Sequence, residues 1–528
     1  MNGLQLEVKQ KVAICYFCLH EVLSKIPYFS IENSVVPVKF LDEVTSKSSD
    51  IGSENCNLCY GILKILQSTV EGIMNRVGQF TEDNFFITVH VPDVVYLNFF
   101  LLGALLNWEA KSGGGDGLQP DNKALPVFSI DTKLINIKEV FRNMLCNRLN
   151  EYCDQRLNEQ QKHGSQDRTE MVRPNLRFTC NTPLPCCVNV VILPPNQNLF
   201  TELLAEKAVQ PRSKKMKFSY IENGNDMGRN NFIHAVNCAL ESLEQQSRYE
   251  DKLGSLLTKN FDRVQFQISV SVPQVFIGGR YLKFSRTLSQ TPWFIGGRRK
   301  GTSSIEELIT EPMKLFFKCD SAMFRSSGRE DIDVKMLGNG RPFAVELITP
   351  CVTKVTSDEL KTIQEEINST SKPDVKVSHL HVVKKENLDV LRNGETEKTK
   401  EYLAILFSKG EKFSPNEVEK LKIISPLEIN QKTPLRVLHR RSLLDRKRRI
   451  LWATPEGVEL KCEQEGISHY LTLRILTEAG TYVKEWVHGD LGRTSPSVCD
   501  ILGRTNVDIV QLDVANVHLT WPIEDKNS

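Results

Sequence analysis

Apolar residues recur along this chain with two different periods, and each period predicts its own kind of element. Between Gly61 and Phe80, the residues Ile62, Leu63, Ile65, Leu66, Val70, Ile73 and Met74 fall on one helical face. From Phe85 to Val91, Cys187 to Leu193 and Val264 to Val272 apolar and polar positions alternate, as in half-buried strands; Pro194-Pro195 stops the second. Val275 to Arg286 reads as a hairpin that sends out arginines and aromatics, although its rings would also serve as core. Next comes a strand ending near Arg325, a tight loop, a short strand through Val334 and Leu337, a Gly338-Asn339-Gly340 turn, and a returning strand through Val345 and Leu347. Thr356-Ser357-Asp358-Glu359 and Ser414-Pro415-Asn416-Glu417 are capping boxes, opening helices over 360–367 and 418–424. Residues 398–407 alternate, with Tyr402, Ala404 and Leu406 on one face, and 431–441 read as a strand led by Pro434. Leu471 to Ile475 is a strand that leads through Gly480 to a helix start at Thr481.

These elements predict an α+β chain with a mixed, mainly antiparallel sheet in its second half. There is no repeating βαβ pattern and no Gly-x-Gly-x-x-Gly, which disfavours a nucleotide-cofactor enzyme. At 528 residues two or three domains are the default, and the change of character near Thr291 places an accessory region at 1–286 and a second domain at 287–528. Long apolar runs such as Val94 to Leu102 are too short to span a bilayer, and Met1 is followed by no basic and apolar leader pattern. The expectation is a soluble intracellular protein of the nucleus or cytoplasm, with no membrane partner.

Charge sharpens the picture. Up to Gln265 there are 28 Lys and Arg against 30 Asp and Glu; beyond it there are 39 against 35. The excess is concentrated between Gln431 and Arg449, where eight basic residues accompany one acid, a run suited to a polyanion such as nucleic acid. The stretch is also consistent with a solvated basic face or a localisation signal.

Fourteen cysteines without a secretory leader are expected to stay reduced. Cys15 and Cys18 form one Cys-x-x-Cys pair and Cys56 and Cys59 another, separated by the 37 residues from Leu19 to Asn55. Four thiolates in two tight turns make a closed tetrahedral site, so a structural zinc is expected, with a redox dithiol as the other reading. Cys180, Cys186 and Cys187 lack ligand spacing and read as small buried residues. Ser112 to Gly117 lacks the Gly-Lys-Ser/Thr ending of a phosphate loop and reads as a linker, and 150–174 is a long polar stretch.

The chemistry concentrates at Gly328-Arg329-Glu330-Asp331. Asp331 stands at a loop apex beside the fixed charge of Arg329, and a carboxylate needed as a nucleophile is favoured in its ionised form by an adjacent guanidinium. A solvated acidic turn is the plainer reading. Arg280 among aromatic neighbours, and Lys432, Arg436, His439, Arg440 and Arg441 further on, are candidate contacts to phosphates and unpaired bases.

Gly328-Arg329-Glu330-Asp331 resembles the catalytic loop of the pseudouridine synthases, and the run to Phe343 looks like the archaeal and eukaryotic tRNA pseudouridine-54/55 synthase family. Lys400-Glu401-Tyr402, Lys432-Thr433-Pro434-Leu435-Arg436-Val437-Leu438-His439-Arg440-Arg441 and Gly480-Thr481-Tyr482-Val483-Lys484 resemble three further motifs of that family in the same order, so the likeness spans Gly328 to Thr494. It implies a pseudouridine synthase catalytic domain, and Val275 to Arg286 resembles the end of the family's THUMP-type α+β accessory region, to which the cysteine spacing adds the expected zinc. It also implies isomerisation of a T-loop uridine without an organic cofactor. Carried over residue by residue, Asp331 would be nucleophile or base, Tyr402 would stack on the uracil, Val483 would line its pocket, and Lys484 with Arg329 would maintain the charge on Asp331. The basic strand would contact RNA, with His439 as an RNA contact or a structural residue. The implied partner is the tRNA T-arm, with other structured RNA open, and the protein is expected to act as a monomer. Two other classes compete: a non-catalytic zinc-containing RNA-binding scaffold, and a metal-dependent hydrolase built on Glu330, Asp331, Asp333 and Glu346.

Overall fold

The computed structural model describes residues 61–92, 137–163, 172–193, 264–409, 412–439, 441–457 and 468–522, with short pieces inside 96–104 and 235–241. Cys15, Cys18, Cys56, Cys59 and Arg440, and the loop from Ser112 to Gly117, lie outside the described residues. The chain divides into two units, Met1–Ser271 and Val272–Ser528. No helix among the described residues is long and apolar enough to cross a membrane.

In the first unit, β1 (Asn84–His90), β2 (Arg177–Thr179), β3 (Cys187–Leu193) and β4 (Gln265–Ser271) form a sheet in the order β2-β1-β3-β4. The predicted alternation is realised: Phe85, Ile87 and Val89 of β1 and Val188, Val190 and Ile192 of β3 are buried. Helix α1 (Leu66–Val77) buries Val70, Ile73 and Val77, as its spacing predicts. A second helix, α2 (Ile137–His163), is 27 residues long and continues to 163 inside the polar stretch 150–174. Ile137, Phe141, Leu145, Leu149 and Cys153 form a buried stripe at four-residue spacing, with Met144 and Cys146 buried beside it.

The second unit is built on a ten-stranded sheet. Its strands are β5 (Val275–Lys283), β8 (Ser321–Ser326), β9 (Lys335–Ile348), β10 (Val375–Val382), β11 (Lys400–Lys409), β12 (Leu427–Lys432), β13 (Asp445–Pro455), β14 (Ser468–Thr477), β15 (Thr494–Ser495) and β16 (Val507–Val517). A separate hairpin pairs β6 (Trp293–Ile295) with β7 (Arg298–Lys300). The main order is β10-β5-β9-β16-β11-β14-β13-β12-β15, with β8 on the side of β9, and among the described residues β9–β16 is its one parallel pair. The mixed, mainly antiparallel expectation therefore holds for this unit. Helices α3 (Ile305–Phe317), α4 (Ser357–Thr370), α5 (Leu388–Glu397), α6 (Pro415–Lys420), α7 (Val483–His488) and α8 (Val498–Leu502) accompany the sheet. Both predicted capping boxes are present, Thr356 with Glu359 opening α4 and Ser414 with Glu417 opening α6, although α6 stops at Lys420.

Three expectations are corrected. Val275 to Arg286 is no exposed hairpin: its first nine residues are β5, nearly all buried and paired to β9 and β10, so the unit boundary falls at Ser271/Val272, before the expected 286/287. Arg280, expected to meet RNA, is buried and donates to the carbonyls of Asn339, Gly340, Val517, Leu519 and Trp521. With all its N–H groups directed at main chain, it clasps the C-terminal strand to β9, and burial lowers its pKa.

The Gly338-Asn339-Gly340 segment is likewise no turn between strands, because β9 runs through it. Gly338 and Gly340 have φ of 60° and 75°. A Cβ at Gly338 would collide with the Ala515 carbonyl, and one at Gly340 would lie 2.7 Å from the Tyr281 carbonyl. The glycines therefore let one strand bend between two neighbours.

Candidate active site

The loop between β8 and β9 is held from beneath by buried polar groups. Arg341, 1 % exposed, donates from Nε to Glu330 Oε2 at 2.7 Å and from Nη1 to the Ser327 carbonyl at 3.0 Å. The Tyr281 hydroxyl donates to Glu330 Oε1 at 3.0 Å, and Gln290 Nε2 donates to the Tyr281 oxygen at 2.8 Å and the Gly328 carbonyl at 3.0 Å. Lys398 adds donors to the Ser327 carbonyl and hydroxyl. Burial pushes the Tyr281 phenol well up. Burial is the largest influence on Arg341 and opposes its charge, but Glu330 together with Tyr281 and Tyr402 more than offsets it, and the guanidinium pKa is raised. Glu330 thus belongs to the support of the loop. Its neighbour Asp331 turns the other way.

The Asp331 side chain is 37 % exposed and meets two cations from distant parts of the chain. Arg436 Nη1 is 3.0 Å from Asp331 Oδ2, and Lys484 Nζ is 3.6 Å from the same oxygen. Lys484 approaches Asp333 more closely, at 2.7 Å. Burial raises the Asp333 pKa, but the hydrogen bond and charge of Lys484 more than offset this and hold it below the usual carboxylate range. Arg329, expected to guard the charge on Asp331, is exposed and forms no ion pair among the described residues. Its expected place is taken by Arg436, which also donates from Nε to the buried Glu485 Oε1 at 2.6 Å. Burial disfavours the Arg436 cation, whereas Glu485 and then Asp331 favour it, and its pKa is raised.

Local folding explains how Arg436 arrives. β12 ends at Lys432, and Pro434, which cannot continue a ladder, opens a 3-10 turn at Leu435–Val437 in place of the expected continuing strand. The Leu435 amide donates to Asp490 Oδ2 at 3.1 Å, and Val437 is buried. The turn brings the Arg436 guanidinium to Asp331 and Glu485 although the residue stays exposed, as Lys432, His439 and Arg441 are. The Gln431 side chain brackets the Tyr482 peptide, accepting from its amide at 2.9 Å and donating to its carbonyl at 3.0 Å. That bracket ties β12 to the start of α7, which begins at Val483, later than Thr481. Val483 is buried in the main core, and Gly489 ends the helix.

Tyr402 lies on the buried face of β11 with Ala404 and Leu406, as the alternation predicts. Burial, the largest influence, and Asp331 push its phenol up to about 12, against the opposing charge of Arg341. The site therefore assembles a half-exposed carboxylate, two cations and a neutral tyrosine. The carboxylates proposed for a metal-dependent hydrolase diverge: Glu330 faces Arg341, and Glu346 faces Arg325 at 2.5 Å. No metal-binding group of His, Cys, Asp and Glu occurs among the described residues.

Glu485 and Gln431 escape sequence reasoning, since only their buried partners reveal them. The β6–β7 hairpin escapes it too. Trp293, Phe294 and Ile295 are 41 %, 57 % and 51 % exposed, opposite Arg298, Arg299 and Lys300. The aromatic-basic mixture expected at Arg280 and Tyr281 occurs here instead, as an exposed surface.

Residues 276–518 match a family model described as Pus10, C-terminal. The human "tRNA pseudouridine synthase Pus10" is 46 % identical over 248 residues, covering 47 % of this chain and 45 % of the relative. The relative of the same name from Korarchaeum cryptofilum is 34 % identical over 269 residues, covering 49 % of this chain and 69 % of that protein. The chain spans about half the length of the first curated relatives it matches, 45 % of the human protein and 51 % of the Xenopus laevis protein. A solved Cbf5-Nop10-Gar1 complex matches at 18 % identity over 45 % of this chain and 48 % of that chain, with a TM-score of 0.24.

Proposed function

The chain belongs to the Pus10 family, and from that membership we propose that it isomerises uridine to pseudouridine in tRNA, at positions 54/55 of the T-loop, with Asp331 as the reacting carboxylate. The observation that supports this reading most directly is the meeting of Arg436 and Lys484 at Asp331 Oδ2. Two cations at one oxygen aim the carboxylate from two sides without burying it. In the reaction the N1 glycosidic bond breaks, the uracil turns over, and C5 bonds to the ribose. Asp331 acts at the sugar or the ring, Tyr402 stacks on the uracil, Val483 lines the apolar side of its pocket, and Lys484 with Arg436 maintains the carboxylate. Nothing is consumed, so no organic cofactor is required.

A base in a folded RNA loop is out of reach of a protein carboxylate, and extruding it costs about a few kcal/mol. The exposed Trp293 and Phe294, the basic β7, and Lys432, His439, Arg440 and Arg441 are assigned to offset that cost by stacking and phosphate contact. The first unit is read as a THUMP-like accessory region that contributes RNA affinity. Cys15, Cys18, Cys56 and Cys59 are assigned to a structural zinc on their spacing alone; metal analysis of the purified chain should find one zinc, absent after replacing these cysteines. The reading as a whole is tested by incubating unmodified tRNA transcript with the chain and digesting it to nucleosides. Pseudouridine should form without added cofactor, and its absence despite tRNA binding would favour the scaffold reading.

A further inference from the structure

One buried cation beneath the catalytic loop has no part in the chemistry described so far. Lys283, the last residue of β5, is fully buried, and its ammonium donates to two successive carbonyls of the loop, Asp331 at 3.0 Å and Ile332 at 2.8 Å. The Asp331 carbonyl also accepts from the Val334 amide at 3.1 Å, so Lys283 braces the turn 331–334 from its inner side. Since the side chain of Asp331 faces outward to Arg436 and Lys484, the direction of its carbonyl fixes where the carboxylate begins. Turning those carbonyls away would leave an ammonium without acceptors in the interior, which is strongly unfavourable.

We propose that Lys283 is a positioning residue for Asp331, and that the proton on its ammonium is needed for this work. The proposal rests on the pseudouridine synthase reading. The charged groups around Lys283 are Glu330, Asp331 and Asp333 of the loop, Arg286 beyond the end of its own strand, and Asp513 of β16, which pairs with Arg286 at 2.8 Å. The three loop acids favour the charged amine and Arg286 opposes it, but burial outweighs them and brings the pKa down to about 8. In an unfolded chain a lysine titrates at about 10.4. Below pH 8 both states carry the proton. Between about 8 and about 10.4 the unfolded chain binds more protons, so in that window this residue makes the fold more stable as pH rises. Over the same window the positioned, protonated form is lost. Activity therefore falls where this contribution to stability rises, a combination that simple unfolding does not produce.

The test is single-turnover pseudouridine formation on unmodified tRNA from about pH 6.5 to about pH 9.5, for wild type, Lys283→Met and Lys283→Gln, with tRNA affinity and thermal melting measured beside it. The wild-type rate should fall about tenfold per pH unit above about pH 8. Lys283→Met should be slower by about a hundredfold at neutral pH, with tRNA affinity unchanged and the alkaline fall absent. A folded Lys283→Met with the wild-type rate, or with the same alkaline fall, overturns the proposal. Should Lys283→Met fail to fold, Lys283→Gln, which keeps donors without charge, decides by the same criteria. A wild-type profile flat to the alkaline end overturns the need for the proton. Wild type that makes no pseudouridine at any pH overturns the enzymatic reading itself, and the role of Lys283 falls with it.

Discussion

Arg436 stands between two carboxylates: Nη1 lies 3.0 Å from Asp331, and Nε donates to Glu485 at 2.6 Å. Glu485 is buried; Arg436 satisfies its Oε1, and Oε2 has no hydrogen-bond partner. The arginine is thereby anchored on the protein side and aimed at Asp331. Removing it should cost about 1–3 kcal/mol of transition-state stabilisation, roughly ten- to hundredfold in single-turnover rate. Arg436→Ala with unchanged turnover but weakened tRNA binding would assign this residue to phosphate contact instead.

Lys484 divides its charge between Asp331 and Asp333, with Asp333 the nearer partner. Lys484→Ala should lower the rate more than the affinity for tRNA, as read by comparing single-turnover kinetics with a binding titration. The same variant has an acid signature. Asp333 has a depressed pKa in the fold, so its contribution to stability is present above the unfolded value of about 3.9 and disappears as pH falls through the folded value. Melting curves from neutral to acid pH should lose part of their acid sensitivity in Lys484→Ala, and an unchanged slope would contradict the pairing.

The Glu330–Arg341 pair predicts the opposite pattern from Asp331. Both side chains are buried, so Arg341→Met alone leaves an uncompensated carboxylate and should destabilise the second unit by about 3–5 kcal/mol. Replacing both, Glu330→Leu with Arg341→Met, should recover much of that loss in a denaturant double-mutant cycle. Additive losses would mean that the pair is uncoupled.

Trp293 and Phe294 stand on an exposed two-stranded hairpin, where neither ring contributes much to a core. Alanine at either position should weaken tRNA binding by about 1–3 kcal/mol if a base stacks there, with stability changed by less than about 0.5 kcal/mol. Equal tRNA affinity for both variants and wild type would remove the hairpin from the RNA surface.

Where period alone decides a side chain's fate, the sequence is a reliable guide to this fold. The alternation that buries Tyr402, Ala404 and Leu406, and the capping boxes at Thr356 and Ser414, act locally and are found as expected. Glycine is ambiguous to such reasoning. Gly338 and Gly340 look like a hairpin turn, but they serve close approach of Ala515 and Tyr281 to one bent strand. Charged residues are ambiguous in another way. Arg280 and Lys283 stand in a stretch that reads as sending its basic residues out, until their carbonyl partners, 48 or more residues away in the sequence, are known. For the same reason the cation beside Asp331 is Arg436, more than a hundred residues away, rather than the adjacent Arg329.

The central claim is that Asp331 performs the chemistry while its neighbours only hold it. It is tested most directly by single-turnover mapping of pseudouridine on unmodified tRNA with wild type and Asp331→Asn. The asparagine variant should fold, bind tRNA as tightly as wild type, and leave no modified uridine where wild type modifies the T-loop. Pseudouridine at that position with Asp331→Asn would contradict the account, because the site would then act without its carboxylate.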